Sequence, residues 1–252
     1  MLAETARAAG YRLIVRDEVV STMEEARRAR VQGEPGRLWI VARSQGGGRG
    51  RHGRPWTSPP GNLYASLLLT DPCPAPLAPQ LGFVAGLAVH DAVSRVLGHA
   101  APRIALKWPN DLLIGGAKTA GLLLEGEIRG GALDVVIGIG VNIASCPSDT
   151  PYPATFLKHH RPETSVEAVL AGLSDAWVKR FETWSRPGGF GPTREAWLER
   201  AAFLGEVITL RLAEGPLSGR FAGLDPSGRL ELETDAGRRL VDAGDLFFGS
   251  PA

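Results

Sequence analysis

The sequence predicts an α+β chain: a largely antiparallel or mixed central β-sheet covered by helices, with a small all-β unit at its end. Three observations carry that reading. Between residues 103 and 142, four short apolar runs follow one another with only tight turns between them; this is a pattern of hairpins, not of βαβ alternation. Residues 79–97 are apolar on most sides, as a buried helix would be. From Gly205 onward, short strand-like runs alternate with Gly-containing turns, as in a small barrel or sandwich.

Each element has its own reason. Residues 1–9 read as a short helix stopped by Gly10, and 12–20 contain an extended β-branched run. Ser21-Thr22-Met23-Glu24 matches a capping box, so a helix should run to about residue 32. Residues 33–36 form a turn, 38–42 (LWIVA) a strand, 43–61 a loop and 63–69 the next strand. Residues 103–107 form a strand that Trp108-Pro109-Asn110-Asp111 turns. Strands 111–114, 121–128 and 133–142 follow, separated by Gly115-Gly116 and Gly130-Gly131. A Pro-rich loop covers 143–164, and helices cover about 165–184 and 193–203. Four runs (VITLRL, LSGRFAGL, RLELET and RRLVDA) make the final unit. These readings divide the chain into 1–204 and 205–252.

The 252 residues carry 28 Lys+Arg against 27 Asp+Glu, a net charge of +1. That balance argues against a dedicated nucleic-acid binder. Apolar content of 44% and charged content of 22% fit a globular protein. Cys73 and Cys146 lie far apart with no Cys/His ligand spacing, so no zinc site is expected. There is no apolar leader and no run long enough for a membrane helix, so the expected location is cytoplasmic.

The distribution of charge says more than its sum. From Pro35 to Thr70 there are five arginines (Arg37, Arg43, Arg49, Arg51 and Arg54) and no acid. Only four lysines occur in the chain: Lys107, Lys118, Lys158 and Lys179. An acid-free Arg stretch in a neutral protein suggests a local anion site.

Gly48-Arg49-Gly50-Arg51-His52-Gly53 matches G-x-G-x-x-G literally. However, Pro55, Pro59 and Pro60 follow where a dinucleotide fold would open a helix, so that reading fails. Gly115-Gly116-Ala117-Lys118-Thr119 lacks the glycines of a P-loop. The Gly/Arg loop can present backbone N–H groups and guanidinium groups to a phosphate or carboxylate. Three arginines in six residues repel one another, so the loop should be mobile when empty and ordered by an anion. A solvated loop and an RNA-binding RG segment are the other readings of its composition. Lys107, Asn110 and Asp111 form a polar cluster at a strand end, with Lys118 close behind. Gly138 and Gly140 lie inside an apolar strand, where glycine often marks a close approach.

Together these clusters resemble the catalytic domain of biotin–protein ligases. The matching pieces are Ser21-Thr22, Gln45 leading into GRGRHGRPW (48–56), SPPGNLYAS (58–66), KWPND (107–111), KTAGLLLE (118–125) and GIGVN (138–142). The resemblance implies a mixed sheet related to class II tRNA synthetases, with an SH3-like C-terminal barrel. It implies activation of biotin by MgATP to biotinyl-5′-AMP, then transfer to one lysine of a biotin carboxyl carrier domain of a carboxylase. By resemblance, Ser21, Thr22 and Gln45 hold biotin, with Gly48, Arg49, Gly50, Arg51 and Gly121 around it. Arg51 and Lys118 are the catalytic candidates, and Lys118 meets the biotin carboxylate and the α-phosphate. Arg54, Trp56, Lys107, Asn110, Asp111, Gly138 and Asn142 fall on the ATP or adenylate side. Mg²⁺ is expected to come with ATP, its ligands unassigned. A lipoyl- or octanoyl-transferring relative is the alternative, and the complete Gly/Arg loop favours biotin. Met23 departs from the polar residue, often Asn, that the family commonly has after Ser-Thr. Only 20 residues precede Ser21, so no DNA-binding domain and no operator binding are expected. The oligomeric state, including a homodimer, stays open.

Overall fold

The computed structural model describes residues 1–98, 101–212 and 215–242. The catalytic portion runs α1 (Glu4–Ala8), β1 (Arg12–Val19), α2 (Thr22–Val31), β2 (Leu38–Gln45), β3 (Leu63–Thr70), α3 (Gln80–Leu97), β4 (Ile104–Lys107), β5 (Asp111–Ile114), β6 (Ala117–Arg129), β7 (Ala132–Val141), α4 (Leu157–His160), α5 (Val166–Ser185) and α6 (Phe190–Glu199). β8 (Val207–Leu212), β9 (Gly215–Leu224), β10 (Leu230–Thr234) and β11 (Gly237–Val241) follow.

The first seven strands form one mixed sheet in the order β1-β2-β3-β7-β6-β5-β4. β1 and β2 are parallel and joined through α2; the other neighbours are antiparallel. The region 103–142 therefore folds as consecutive hairpins, as its turns predict. β2 shows why its sequence is a continuous apolar run. Leu38 and Ile40 pack beneath α2 with Met23, Ala26, Leu68 and Val136. Trp39 and Val41 belong to the large core that includes α3 and α5. A strand covered on both faces has no polar side to alternate with.

Ser21 caps α2, but its Oγ accepts from the Met23 N–H at 3.3 Å and not from Glu24 as a full capping box would have it. The last helix of the catalytic portion differs more. It starts at Phe190 and ends at Glu199 rather than spanning 193–203. Residues 200–202 leave it to pair with β4: the Leu106 N–H donates to Arg200 O at 2.8 Å and the Ala202 N–H to Leu106 O at 2.7 Å. This covers the sheet edge, where unpaired backbone groups would otherwise stand open. The stretch read as a loop at 143–164 contains the single helical turn α4, and β6 starts at Ala117, not 121.

The C-terminal strands form a four-stranded antiparallel sheet in the order β11-β10-β9-β8. Phe221, Leu224, Leu230 and Leu232 are buried and continuous with the main core. At Gly228 (φ 89°) a Cβ would come within 2.8 Å of the Phe83 ring, so its absence lets the turn seat against α3. Residue 243 of the last predicted run lies outside the described residues. Among the described residues no helix is long and apolar enough to cross a membrane.

Candidate active site

A cavity of about 720 Å³ opens along the ends of the central strands. Its wall gathers residues from the N-terminus of α2, the Gly/Arg loop, the turn 108–110, β6, β7 and the segment before α4.

One side is built by a chain of hydrogen bonds. Gln45 Oε1 accepts from the Thr22 N–H at 2.9 Å and from its hydroxyl at 3.2 Å. Gln45 Nε2 donates to Ser58 Oγ at 3.0 Å, and the Ser58 hydroxyl donates to Trp56 O at 2.9 Å. From below, the Ser66 hydroxyl donates to Thr22 Oγ1 at 2.8 Å. The N-terminus of α2 is thereby tied to both feet of the Gly/Arg loop. The loop itself closes like a hairpin: the Trp56 N–H donates to Gly48 O at 2.9 Å and the Gly50 N–H to Arg54 O at 2.8 Å. Its tip is one 3₁₀ turn, Arg51–Gly53, with His52 in the left-handed region at φ 57°. No long helix opens there, which agrees with rejecting a dinucleotide fold. These bonds close the stem of the loop.

The glycines inside β6 and β7 make room for large side chains. A Cβ at Gly140 would lie 2.6 Å from the Trp56 indole, and one at Gly121 would lie 3.0 Å from it. A Cβ at Gly138 would lie 2.5 Å from Met23 Sδ. The close approach expected at these positions is therefore made first by Trp56 and Met23. The non-polar Met23 is 6% exposed and lines the cavity.

Lys118 sits at the centre of this wall. Its Nζ lies 2.7 Å from Asp111 Oδ1, both side chains being 16% exposed. It also stands 5.4 Å from the centre of the Trp56 ring and 5.2 Å from that of Tyr152. The hairpin β5–β6 creates the pairing, because Asp111 lies opposite Gly121 on the strand that carries Lys118. Asn110 pins the turn, its Nδ2 donating to Leu122 O at 2.7 Å and its carbonyl accepting from the Leu122 N–H. The Trp108–Pro109 peptide bond is cis.

Arg49, Arg51, Arg54, Lys107 and Lys118 all line the cavity, against the carboxylates Asp111 and Asp242. The acid-free stretch thus divides. Arg37 and Arg43 serve elsewhere, on Ala9 O and near Asp17, while the other three face the site. Such an excess of fixed cations favours an anionic ligand.

Two expected residues lie off the wall. Gly48 is buried behind it, where a Cβ would collide with Ser58 Oγ and Trp56 O at 2.7 Å. Asn142 is 4% exposed, and its Nδ2 donates to Thr155 O at 3.2 Å. In this structure its amide anchors the segment before α4 and does not line the cavity. Two contributions are absent from the sequence reading. Tyr152 comes from the Pro-rich loop, and Leu210, Leu212 and Val241 come from the C-terminal sheet. The alternation of VITLRL could have shown an inward face, but not that it meets this cavity.

Hydroxyl and amide groups at one part of the wall and five cationic side chains at another suit a small polar molecule that bears negative charge. Residues 18–142 match the biotin/lipoate A/B protein ligase family, and residues 203–249 match the biotin protein ligase C-terminal domain. A biotin–[acetyl-CoA-carboxylase] ligase of Paracoccus denitrificans is 42% identical over 228 residues, covering 86% of this chain and 92% of the relative. The bifunctional ligase/repressor BirA of Bacillus subtilis is 32% identical, covering 95% and 75%. Among solved structures, the biotin protein ligase of Aquifex aeolicus in complex with biotin and ATP superposes with a TM-score of 0.78 at 29% identity, covering 91% of this chain and 94% of that one. The Leishmania major ligase in complex with biotinyl-5-AMP gives 0.64 at 26% identity, covering 91% and 98%. This chain belongs to the biotin/lipoate A/B protein ligase family.

Proposed function

We infer that the protein is a biotin–protein ligase that activates biotin with MgATP and passes it to a lysine of a biotin carboxyl carrier domain. The observation that carries this reading is 42% identity to a biotin–[acetyl-CoA-carboxylase] ligase across nearly both whole chains. The C-terminal match to the biotin protein ligase domain favours biotin over a lipoyl group.

In the first step a biotin carboxylate oxygen attacks the α-phosphorus of ATP, and pyrophosphate leaves. Ser21, Thr22 and Gln45 receive the polar ureido end of biotin, and Met23, for which Gly138 makes room, its apolar body; Gly138, expected on the adenylate side, thus serves the biotin side. Lys118 meets the carboxylate and the α-phosphate together, offsetting charge that grows in the transition state. Arg49, Arg51 and Arg54 close over the phosphate, and Trp56 walls the adenylate above Gly121 and Gly140. Lys107, Asn110 and Asp111 form the nucleotide side. In the second step the neutral carrier amine attacks the acyl carbon, AMP leaves with the C–O bonding pair, and the nitrogen loses a proton to solvent.

Mg²⁺ belongs to the nucleotide substrate in this scheme. Among the described residues no three His, Cys, Asp or Glu side chains cluster to hold a metal ion, and Asp111 is engaged by Lys118. The division into 1–204 and 205–252, a cytoplasmic setting and the absence of DNA as a partner belong to the same reading. The concentration of cations in the cleft and the net charge of +1 support the last of these.

The test is to incubate the protein with MgATP, an apo carrier domain and either biotin or lipoate, then weigh the carrier. A mass gain from biotin alone is expected. Gain from lipoate alone, or no gain with a competent carrier, overturns the reading.

A further inference from the structure

Residue 118 is held by the segment 152–155 through its backbone as well as its side chain. The Lys118 N–H donates to Pro153 O at 2.8 Å, and Lys118 O accepts from the Thr155 N–H at 2.9 Å. Asn142 fixes the same segment from behind through Thr155 O. This two-point bridge sets Tyr152 beside the side chain of the residue it is paired with. The Tyr152 ring stands 5.2 Å from Nζ, and the Trp56 ring stands 5.4 Å from it. A cation within about 6 Å of a ring centre is drawn to the electron-rich face.

We propose that Tyr152 is a positioning residue for Lys118. Its ring forms with Trp56 a two-ring slot that aims the ammonium group, while Asp111 supplies the ionic contact. A lysine stem has four rotatable bonds and little directional preference of its own. Rings near Nζ, together with one carboxylate, remove that freedom before substrate arrives. Tyr152 is 38% exposed, so its packing contributes little to the core. The phenol oxygen has no part in the proposal; the ring face does the work. This inference rests on the ligase reading for its kinetic consequence, but not for its geometric one.

Two measurements test it. The first is the NMR shift of the Lys118 ε-methylene, assigned by its loss in Lys118→Arg and read on the protein without substrates. Ring currents should displace it in the wild type and in Tyr152→Phe, and the displacement should shrink in Tyr152→Leu. The second is adenylation measured by pyrophosphate release. Tyr152→Leu should lose roughly ten-fold in kcat with the KM values for biotin and ATP nearly unchanged, and Tyr152→Phe should restore kcat to within about two-fold. An unchanged shift in Tyr152→Leu, a phenylalanine variant as impaired as the leucine one, or a rise confined to KM overturns the proposal. A wild type that shows the shift but no adenylation overturns the ligase reading and leaves the slot standing.

Discussion

Gly140 and Trp56 share one space. A Cβ at 140 would lie 2.6 Å from the indole, closer than a Cβ can approach an unbonded ring atom. Gly140→Ala should therefore displace Trp56 from the wall rather than unfold β7, because the ring is only half-buried. A loss of at least about ten-fold in kcat/KM is expected, about 1.4 kcal/mol. Steady-state biotinylation alongside a thermal melt checks it; a fully active variant would show that the ring's position does not matter.

Lys118→Ala should lower adenylation by on the order of 100-fold or more, the scale of removing a preorganised electrostatic group. Its melting temperature should fall by several °C while the protein stays folded at assay temperature, since the variant loses the largely buried ion pair with Asp111 and the ring contacts with Trp56 and Tyr152. Pyrophosphate release and calorimetry measure the two. Parallel losses would mark Lys118 as structural.

Arg51→Gly should weaken retention of the adenylate. A charge-assisted hydrogen bond is worth about 1.5–3 kcal/mol, so biotinyl-5′-AMP should leave roughly ten-fold faster or more. Filter retention of labelled adenylate is the direct readout, and an unchanged release rate assigns the role to another arginine of the loop.

Asp175 links α5 to the N-terminal helix. The hydrogen bond from Lys179 holds its carboxyl below the usual carboxylate range, with Thr5 adding a second bond and Lys179 and Arg95 adding charge. A carboxyl with a depressed native pKa stabilises the fold above its unfolded pKa, and that contribution fades as pH falls through the native value. Asp175→Asn should thus cost about 1 kcal/mol near pH 7 and progressively less below about pH 4. Urea titrations of both proteins at pH 7, 4 and 2.5 test the convergence.

Much of this was legible from residue patterns because burial on both sheet faces and tight turns are local properties. The apolar run at 38–42 and the glycine pairs at 115–116 and 130–131 announce their hairpins and strands without help. The Arg, Lys and Gly positions of the cleft were legible through chemistry and scarcity. What escaped depends on contacts far apart in sequence. Tyr152 looked like a loop residue, since nothing local shows that its neighbours Pro153 and Thr155 bond to residue 118. Asn142 sits at the end of an apolar strand, where its side chain could face the cavity or the loop behind; only packing decides. The helix end at Glu199 was set by β4, an edge nearly a hundred residues away.

The stapled feet of the Gly/Arg loop bear on how fast and how tightly a ligand can be captured. Fixing the backbone of a residue costs about 1–2 kcal/mol of entropy, and a loop of twenty free residues would set that cost against every binding event. Here the stem is already closed between Gly48 and Trp56 and between Gly50 and Arg54. Only the turn Arg51–Gly53 lies beyond that closed stem. A stem closed in this way lowers the ordering cost of capture, so more of each guanidinium contact with an acyl-adenylate formed in the cleft is left for residence time.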